Sequence, residues 1–334
     1  MGVLLRGVEG YFGVALLALA LAGPALADPI PIDAAAVRLD PDRPERETVG
    51  KLTYAGGVSL LSPDQRFGGW SAMVISADGS HLTAISDIGW RMTATIARQD
   101  GRIVGLMEVD LAALAGPDGK PIAGDKEAAD AEGMAVMPDG GIAVAFERQH
   151  RVWHYPAARD GGDALLGVPV PIDTPAALTA AESNGGLEAL EALPDGSLVG
   201  FAEELPDGKG HHTGWIFGGP AAAQPRTLRL DAIGILKPTD LKRLPSGDLL
   251  LLERRYTVAG GPGARLSIID AAALDGAKPI HSRELAQIPA NLTVDNFEAL
   301  GVWQDAKGGQ YAVILSDDNF SAVQRTLLME FKLP

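Results

Sequence analysis

A strand–turn–strand unit recurs along this chain at a long, regular period, and no other feature limits the possible folds so tightly. The copies are "WSAMVISADGSHLTAISD" (residues 70–87), "AEGMAVMPDGGIAVAFER" (131–148) and "LEALEALPDGSLVGFAEE" (187–204), followed by "TDLKRLPSGDLLLLERR" (239–255) and "FEALGVWQDAKGGQYAVILSDD" (297–318). In each, two apolar runs flank a tight turn. Gly79, Gly140, Gly196, Gly247 and Gly309 fall at those turns, where a positive φ costs glycine nothing. A fixed long period in a turn-rich chain is the mark of repeated sheet units, and propeller blades repeat every ~40 to 50 residues.

Two further strand candidates follow most copies. They are "MTATIARQ" and "RIVGLMEVDL" after the first, "RVWHYP" and "GVPVPID" after the second, "TGWIFGG" and "RTLRLD" after the third, and "RLSIID" and "HSRELAQI" after the fourth. Four strands per unit is the make-up of a propeller blade. Only "RTLLMEFKL" follows the fifth copy, so its missing outer strand is expected from "KLTYAGGVSLL" near the N-terminus. Pairing the two chain ends in this way closes the ring and removes exposed sheet edges. The predicted fold is therefore all-β, a β-propeller of five four-stranded blades, with a degenerate sixth blade as the variant. Two stacked β-sandwiches with a break near residues 236–240 explain the turns but not the recurring acids. Short helical turns are expected in "IDAAALDGAK" and "VDLAALAGPDGK", and a long loop over residues 116–130.

The position that opens each first strand holds Ser71, Glu132, Glu188, Asp240 and Glu298, at spacings of 61, 56, 52 and 58 residues. First strands of propeller blades line the central channel, so Glu132, Glu188, Asp240 and Glu298 are expected as a ring of carboxylates at one mouth. Converging carboxylates repel one another and need protonation, arginine partners or a cation. The second strands also end in charge, at Asp87, Glu147-Arg148, Glu203-Glu204, Glu253-Arg254-Arg255 and Asp317-Asp318. These supply more hard oxygen donors of the kind calcium takes, and arginines that either neutralise the acids or clamp an anionic substrate. The bland alternative for the ring is a set of salt bridges between blades. Of the six histidines only His150 and His154 stand four apart, and they straddle "RVW" in an expected strand, so zinc is not expected. Ser71 has neither a nucleophile-elbow motif nor a recurring histidine to activate it.

The first 27 residues read as a signal peptide. "FGVALLALALAGPALA" is too short to span a bilayer, and Ala25-Leu26-Ala27 fits a cleavage site before Asp28. A periplasmic or secreted protein is expected, with an extension at 28–47, one propeller domain at 48–334 and no membrane insertion after cleavage. There is no cysteine, so no disulfide framework holds the fold. A net charge of −15 argues against nucleic acid as partner and leaves a small-molecule substrate.

The ordered set "GGWSAM…SDIGW", "AEGMAV…FER", "NGGLEAL…FAEE", "KPTDL…LER" and "DNFEALGV…LSDDN" resembles the "esterase-like activity of phytase" family from Gly68 to Asn319. One departure stands out: Ala72 follows Ser71 where the family has glycine. The resemblance implies an exported propeller that hydrolyses esters, phosphate esters among them. Joined to the acid ring, it yields a metal-dependent hydrolase of an ester, phosphate ester or lactone. In that reading Glu132 or Glu188 is the catalytic base, while Arg148, Arg254 and Ser71 contact substrate. Asp240, Glu298, Asp87 and Asp317 hold a divalent cation, calcium first. The rival reading is a non-catalytic binding propeller whose acids serve as interblade bridges.

Overall fold

Leu249, Leu250, Leu251 and Leu252 form an uninterrupted apolar run, and all four are fully buried. A strand presents alternate residues to opposite faces, so such a run requires cover on both sides. Leu249 and Leu251 pack with Phe201, Leu228 and Leu241 on one face, and Leu250 and Leu252 pack with Phe297, Leu300 and Ile314 on the other. Each face of the sheet meets a different neighbouring sheet, and this pattern is repeated around the molecule.

The computed structural model describes residues 28–219 and 222–334. The expected signal peptide at 1–27 lies outside the described residues. The described chain is an all-β propeller of five blades. Blade 1 comprises Trp70–Ile75, His81–Ser86, Trp90–Gln99 and Arg102–Ala113, and blade 2 Ala131–Val136, Ile142–Phe146, Arg151–Tyr155 and Val170–Ile172. Blade 3 comprises Leu187–Ala192, Leu198–Pro206, His211–Gly218 and Ala222–Asp231. Blade 4 comprises Lys237–Arg243, Leu249–Thr257, Gly261–Ile269 and Arg283–Ile288. In blade 5, Asn296–Gln304, Gln310–Asp317 and Thr326–Lys332 are completed by Leu52–Leu61, which pairs antiparallel with Thr326–Lys332. The ends of the chain therefore close the ring, as the missing outer strand requires.

Each of the five apolar clusters fills one interface between neighbouring blades, including that between blade 5 and blade 1. The extension straddles the closure. Asp28–Pro29 pairs with the outer strand of blade 1, and Asp33–Ala36 pairs with Leu61–Val58 outside blade 5. No helix among the described residues is long and apolar enough to cross a membrane. The "IDAAALDGAK" turn is a 3-10 helix at Ala271–Asp275, whereas "VDLAALAGPDGK" begins as the end of a strand and holds no helix. The loop after blade 1 carries one helical turn, Lys126–Ala129.

Two expected positions are corrected. In the fifth turn the positive φ, 85°, belongs to Gly308 and not Gly309, because Gly308 donates the turn hydrogen bond to Asp305. The second correction bears on the site. Every blade has a register slip at the start of its inner strand, and the residue left unpaired is Ser71, Glu132, Glu188, Thr239 or Glu298. Blade 4 thus presents Thr239, not Asp240, at the ring position. Asp240 lies one residue on and turns to the opposite face. There it is fully buried, pairs with Lys242 at 2.5 Å and accepts the Leu300 amide of blade 5 at 2.7 Å.

Candidate functional site

A β-bulge re-aims a side chain, and of the five residues at equivalent bulges Glu132, Glu188 and Glu298 reach the cavity at one end of the channel, whereas the shorter Ser71 and Thr239 do not. The register defines a second set of equivalent residues, each following the second-strand partner of the residue just before the bulge: Asp87, Glu147, Glu203, Arg254 and Asp317. Together the two tiers carry seven carboxylates (Glu132, Glu188, Glu298, Asp87, Glu147, Glu203 and Asp317) and one cation, Arg254. Outside the cavity lining, Lys242 of blade 4 reaches the Met134 carbonyl of blade 2 at 3.2 Å, a contact between non-adjacent blades.

The mouth is a cavity of about 930 Å³. Of the residues singled out from sequence, Glu132, Glu188, Glu298, Asp87, Asp317 and Arg254 line it together. Ser71, Arg148 and Asp240 do not. Ser71 is buried with its Oγ 3.4 Å from the Gly69 carbonyl, and the Arg148 guanidinium is held by Asp130 at 2.6 Å. Among the described residues no histidine lines the cavity. Asn296 and Asn319, turn formers by composition, both do. Sequence reasoning missed Lys126, Asn184, Asp295 and Arg325 in the lining and Asp130 beside it. Of these Asp130, Asn184 and Asp295 left a readable signal, since each stands a few residues ahead of a ring glutamate in a recurring motif.

Some charges are matched. Arg254 meets Glu203 at 2.9 Å and Glu298 at 3.2 Å, so it ties blade 4 to blades 3 and 5. Lys126 meets Asp87 at 2.5 Å and stands 3.7 Å from Asp130. Arg325 meets Asp295 at 3.3 Å. Even so, Asp87 Oδ1 and Asp130 Oδ1, on two of these paired carboxylates, are buried without a hydrogen-bond partner. Burial, reinforced by Glu203, Asp130 and Glu298, pushes the Glu147 carboxyl up to about 8, against the opposing Gly186 amide. Burial and neighbouring acids likewise hold Glu132 and Asp317 well above the usual carboxylate range. Glu188 is raised well above it by burial and Glu203, with Arg254 opposing.

Oxygens from Asp130, Glu132 and Glu147 all lie within 4.8 Å of one another. Two oxygens on opposite sides of a calcium ion are about 4.8 Å apart at metal–oxygen distances of ~2.4 Å. The spacing, the charge and the orphaned oxygens therefore fit a divalent cation.

The first and last motifs meet at this mouth. The Gly69 amide donates to Asp318 Oδ1 at 3.1 Å, and a Cβ on Gly69 would lie 2.1 Å from Asp87 Oδ1 and 2.7 Å from the Phe320 ring. The paired glycines thus give the Asp318–Phe320 loop room to sit on the ring. The phytase-like family described as "esterase-like activity of phytase" matches residues 65–320, a span that covers both motifs and all ten ring positions. The chain belongs to the phytase-like family. Among curated proteins none matches this phytase-like sequence. Solved structures add likeness of fold alone. An α-L-arabinofuranosidase from Podospora anserina in complex with cellotriose is 13% identical at a TM-score of 0.51, covering 86% of this chain and 98% of that one. Virginiamycin B lyase from Staphylococcus aureus is 9% identical at a TM-score of 0.40, covering 91% and 100%. The Pan2 WD40 domain of Neurospora crassa is 12% identical at 0.44, covering 86% and 98%.

Proposed function

We propose that this phytase-like propeller is an exported, divalent-cation-dependent hydrolase that cleaves an ester, phosphate ester or lactone at the acidic channel mouth. The observation that carries the reading is the surplus of carboxylates around an open cavity, with a buried oxygen that takes no hydrogen bond on Asp87 in the lining and another on Asp130 beside it. A network built only for stability pairs such groups, since an unpaired buried polar atom costs about 1–3 kcal/mol. The family name supports hydrolysis of an ester bond, and the apolar leader before Asp28 supports export.

Asp130, Glu132 and Glu147 would hold the cation, and an all-oxygen donor set favours calcium. The ion's chemical contribution is polarisation of the carbonyl or phosphoryl oxygen. Arg254, fixed by Glu203 and Glu298, orients an anionic or carbonyl oxygen of the substrate. Glu188 is the general base, and its burial makes it more basic than an exposed glutamate. It takes a proton as the water oxygen bonds to the acyl carbon or phosphorus. The bond to the leaving oxygen then breaks, and that oxygen receives the proton from Glu188.

One arrangement favours the rival reading. Arg254 and Lys126 bridge blades much as interblade salt bridges would, consistent with a non-catalytic binding propeller. Purified mature chain separates the two readings. Its bound metal is measured, and it is assayed on 4-nitrophenyl esters, 4-nitrophenyl phosphate and lactones with and without chelator. Chelator-sensitive turnover is expected, lost in Glu188→Gln while the fold is retained. Turnover that survives the substitution, or none on any substrate, leaves the binding module.

A further inference from the structure

The walls of the cavity differ in chemistry from one side to the other. Blades 1 and 2 and the loop between them contribute Asp87, Lys126, Glu132 and Glu147, all charged. The side built by blades 4 and 5 carries charge too, in Arg254, Asp295, Glu298, Asp317 and Arg325, but it alone adds apolar side chains, those of Tyr256, Pro262, Val294 and Val323. Tyr256 is 67% exposed and Val323 90% exposed, on a chain whose other apolar side chains largely fill interblade cores. Both positions follow from the strand geometry. Tyr256 stands two residues beyond Arg254 on the same strand, hence on the same face, and pairs with Pro262 across the hairpin. Val323 sits on the loop after Asp317, and that loop is pinned. Ser321 and Gln324 amides donate to the Asp318 and Ser321 carbonyls, and Arg325 is tied to Asp295 and the Val294 carbonyl. Exposed apolar side chains also occur elsewhere, as at Val258 and Leu61, but these four share one cavity with charged groups, and ligand sites combine apolar walls with a few polar groups.

We infer that the substrate is an ester with an apolar alkyl or aryl group, seated on Tyr256, Pro262, Val294 and Val323 while its polar head meets the charged groups. This rests on the hydrolase reading and narrows it. A densely phosphorylated polyol would meet Arg254 and Arg325 but leave these four apolar side chains uncovered, whereas an amphipathic ester covers them and meets the charged groups at once. Tyr256 and Val323 are then specificity-determining residues for the chain attached to the ester.

Two measurements on the full mature chain test this. Binding of a series of alkylphosphonates, ethyl to octyl, is followed by calorimetry in the presence of calcium, and kcat/KM is followed along 4-nitrophenyl acetate, butyrate, hexanoate and octanoate. Full burial of one methylene corresponds to about fourfold in affinity, so a half-open wall is expected to give roughly twofold per methylene until it is covered. Val323→Ser and Tyr256→Ser are expected to flatten both slopes, with thermal melting used to show that each variant is folded. A flat wild-type series, no phosphonate binding at any length, or slopes unchanged in both variants overturns the inference. If phosphonate affinity climbs with chain length but no ester turns over, the hydrolase reading fails and the apolar wall stands. If esters turn over with no dependence on chain length, the wall fails and the hydrolase reading stands.

Discussion

Arg254 stands where the other four blades place an acid, and that single exchange sets the charge balance of the mouth. Its guanidinium reaches Glu203 and Glu298 on the two flanking blades, and Asn296 bridges the same pair by accepting from Arg254 at 3.2 Å and donating to Glu298 at 2.7 Å. Removal of one partner from a buried charge network leaves the other partners uncompensated and costs about 3–5 kcal/mol. Arg254→Met is therefore expected to destabilise the metal-free protein by a few kcal/mol, with part of the loss recovered as the acids take up protons. Glu132→Gln should do the opposite. It keeps the shape and removes one of several mutually repelling carboxylates, so the metal-free melting temperature should rise while calcium affinity falls. Calorimetric melting of both variants, with and without calcium, checks the pair of signs. If the two substitutions shift the metal-free stability in the same direction, the acids are not in net repulsion.

At the scale of elements, the glycine pair before the first inner strand and the loop after Asp317 are made for each other. Gly69 has a φ of 66°, and a side chain there meets both Asp87 and Phe320. Gly69→Ala is expected to cost more than about 1 kcal/mol, from the backbone conformation and the displaced neighbours together. It should also weaken cation binding, because Asp87 must move. Equal calcium affinity in wild type and variant would show that Asp87 is not near the ion. These elements were legible in sequence to very different degrees. The hairpins were plain, since each turn needs glycine at one place and each strand of a stacked sheet needs an apolar run such as Leu249–Leu252. The chain-end closure was legible because the last copy lacked a strand and the N-terminal segment was one too many. Thr239 was within reach. It lies eight residues before Gly247, as Ser71, Glu132 and Glu188 lie eight before Gly79, Gly140 and Gly196. Asp240 drew attention as the acid beside it, although strand alternation sends it to the other face. Lys126 and Arg325 had no comparable signal. They come from irregular loops whose approach to the ring is set by tertiary packing, and no period marks them.

For the molecule as a whole, the ring couples acidity to stability. In the metal-free fold Glu147 keeps its proton up to a pH of about 8, because burial and neighbouring acids disfavour the charge. In the unfolded chain the same group lets its proton go near 4.5, the ordinary glutamate value. Between those limits the folded state binds more protons than the unfolded one, so this contribution to stability is fully present below about pH 4.5 and is lost as the pH rises towards 8. At ~1.4 kcal/mol for each pH unit of separation, the loss from this one carboxyl is roughly 3–5 kcal/mol, and Glu132, Glu188 and Asp317 shift in the same direction. A bound cation reverses the slope, because it favours the charged carboxylates and must displace their protons to bind. The melting temperature of chelator-treated protein is accordingly expected to fall from pH 5 to pH 8, and the gain on adding calcium to widen over the same range. The net charge of −15, to which exposed acids also contribute, opposes the compact state as pH rises, but salt screens exposed charges far more than enclosed ones. Repeating the series at 0.5 M sodium chloride, on the order of three times the physiological ionic strength, isolates the ring. A calcium gain that stays constant across the pH range at high salt would mean that the cation binds away from these carboxylates.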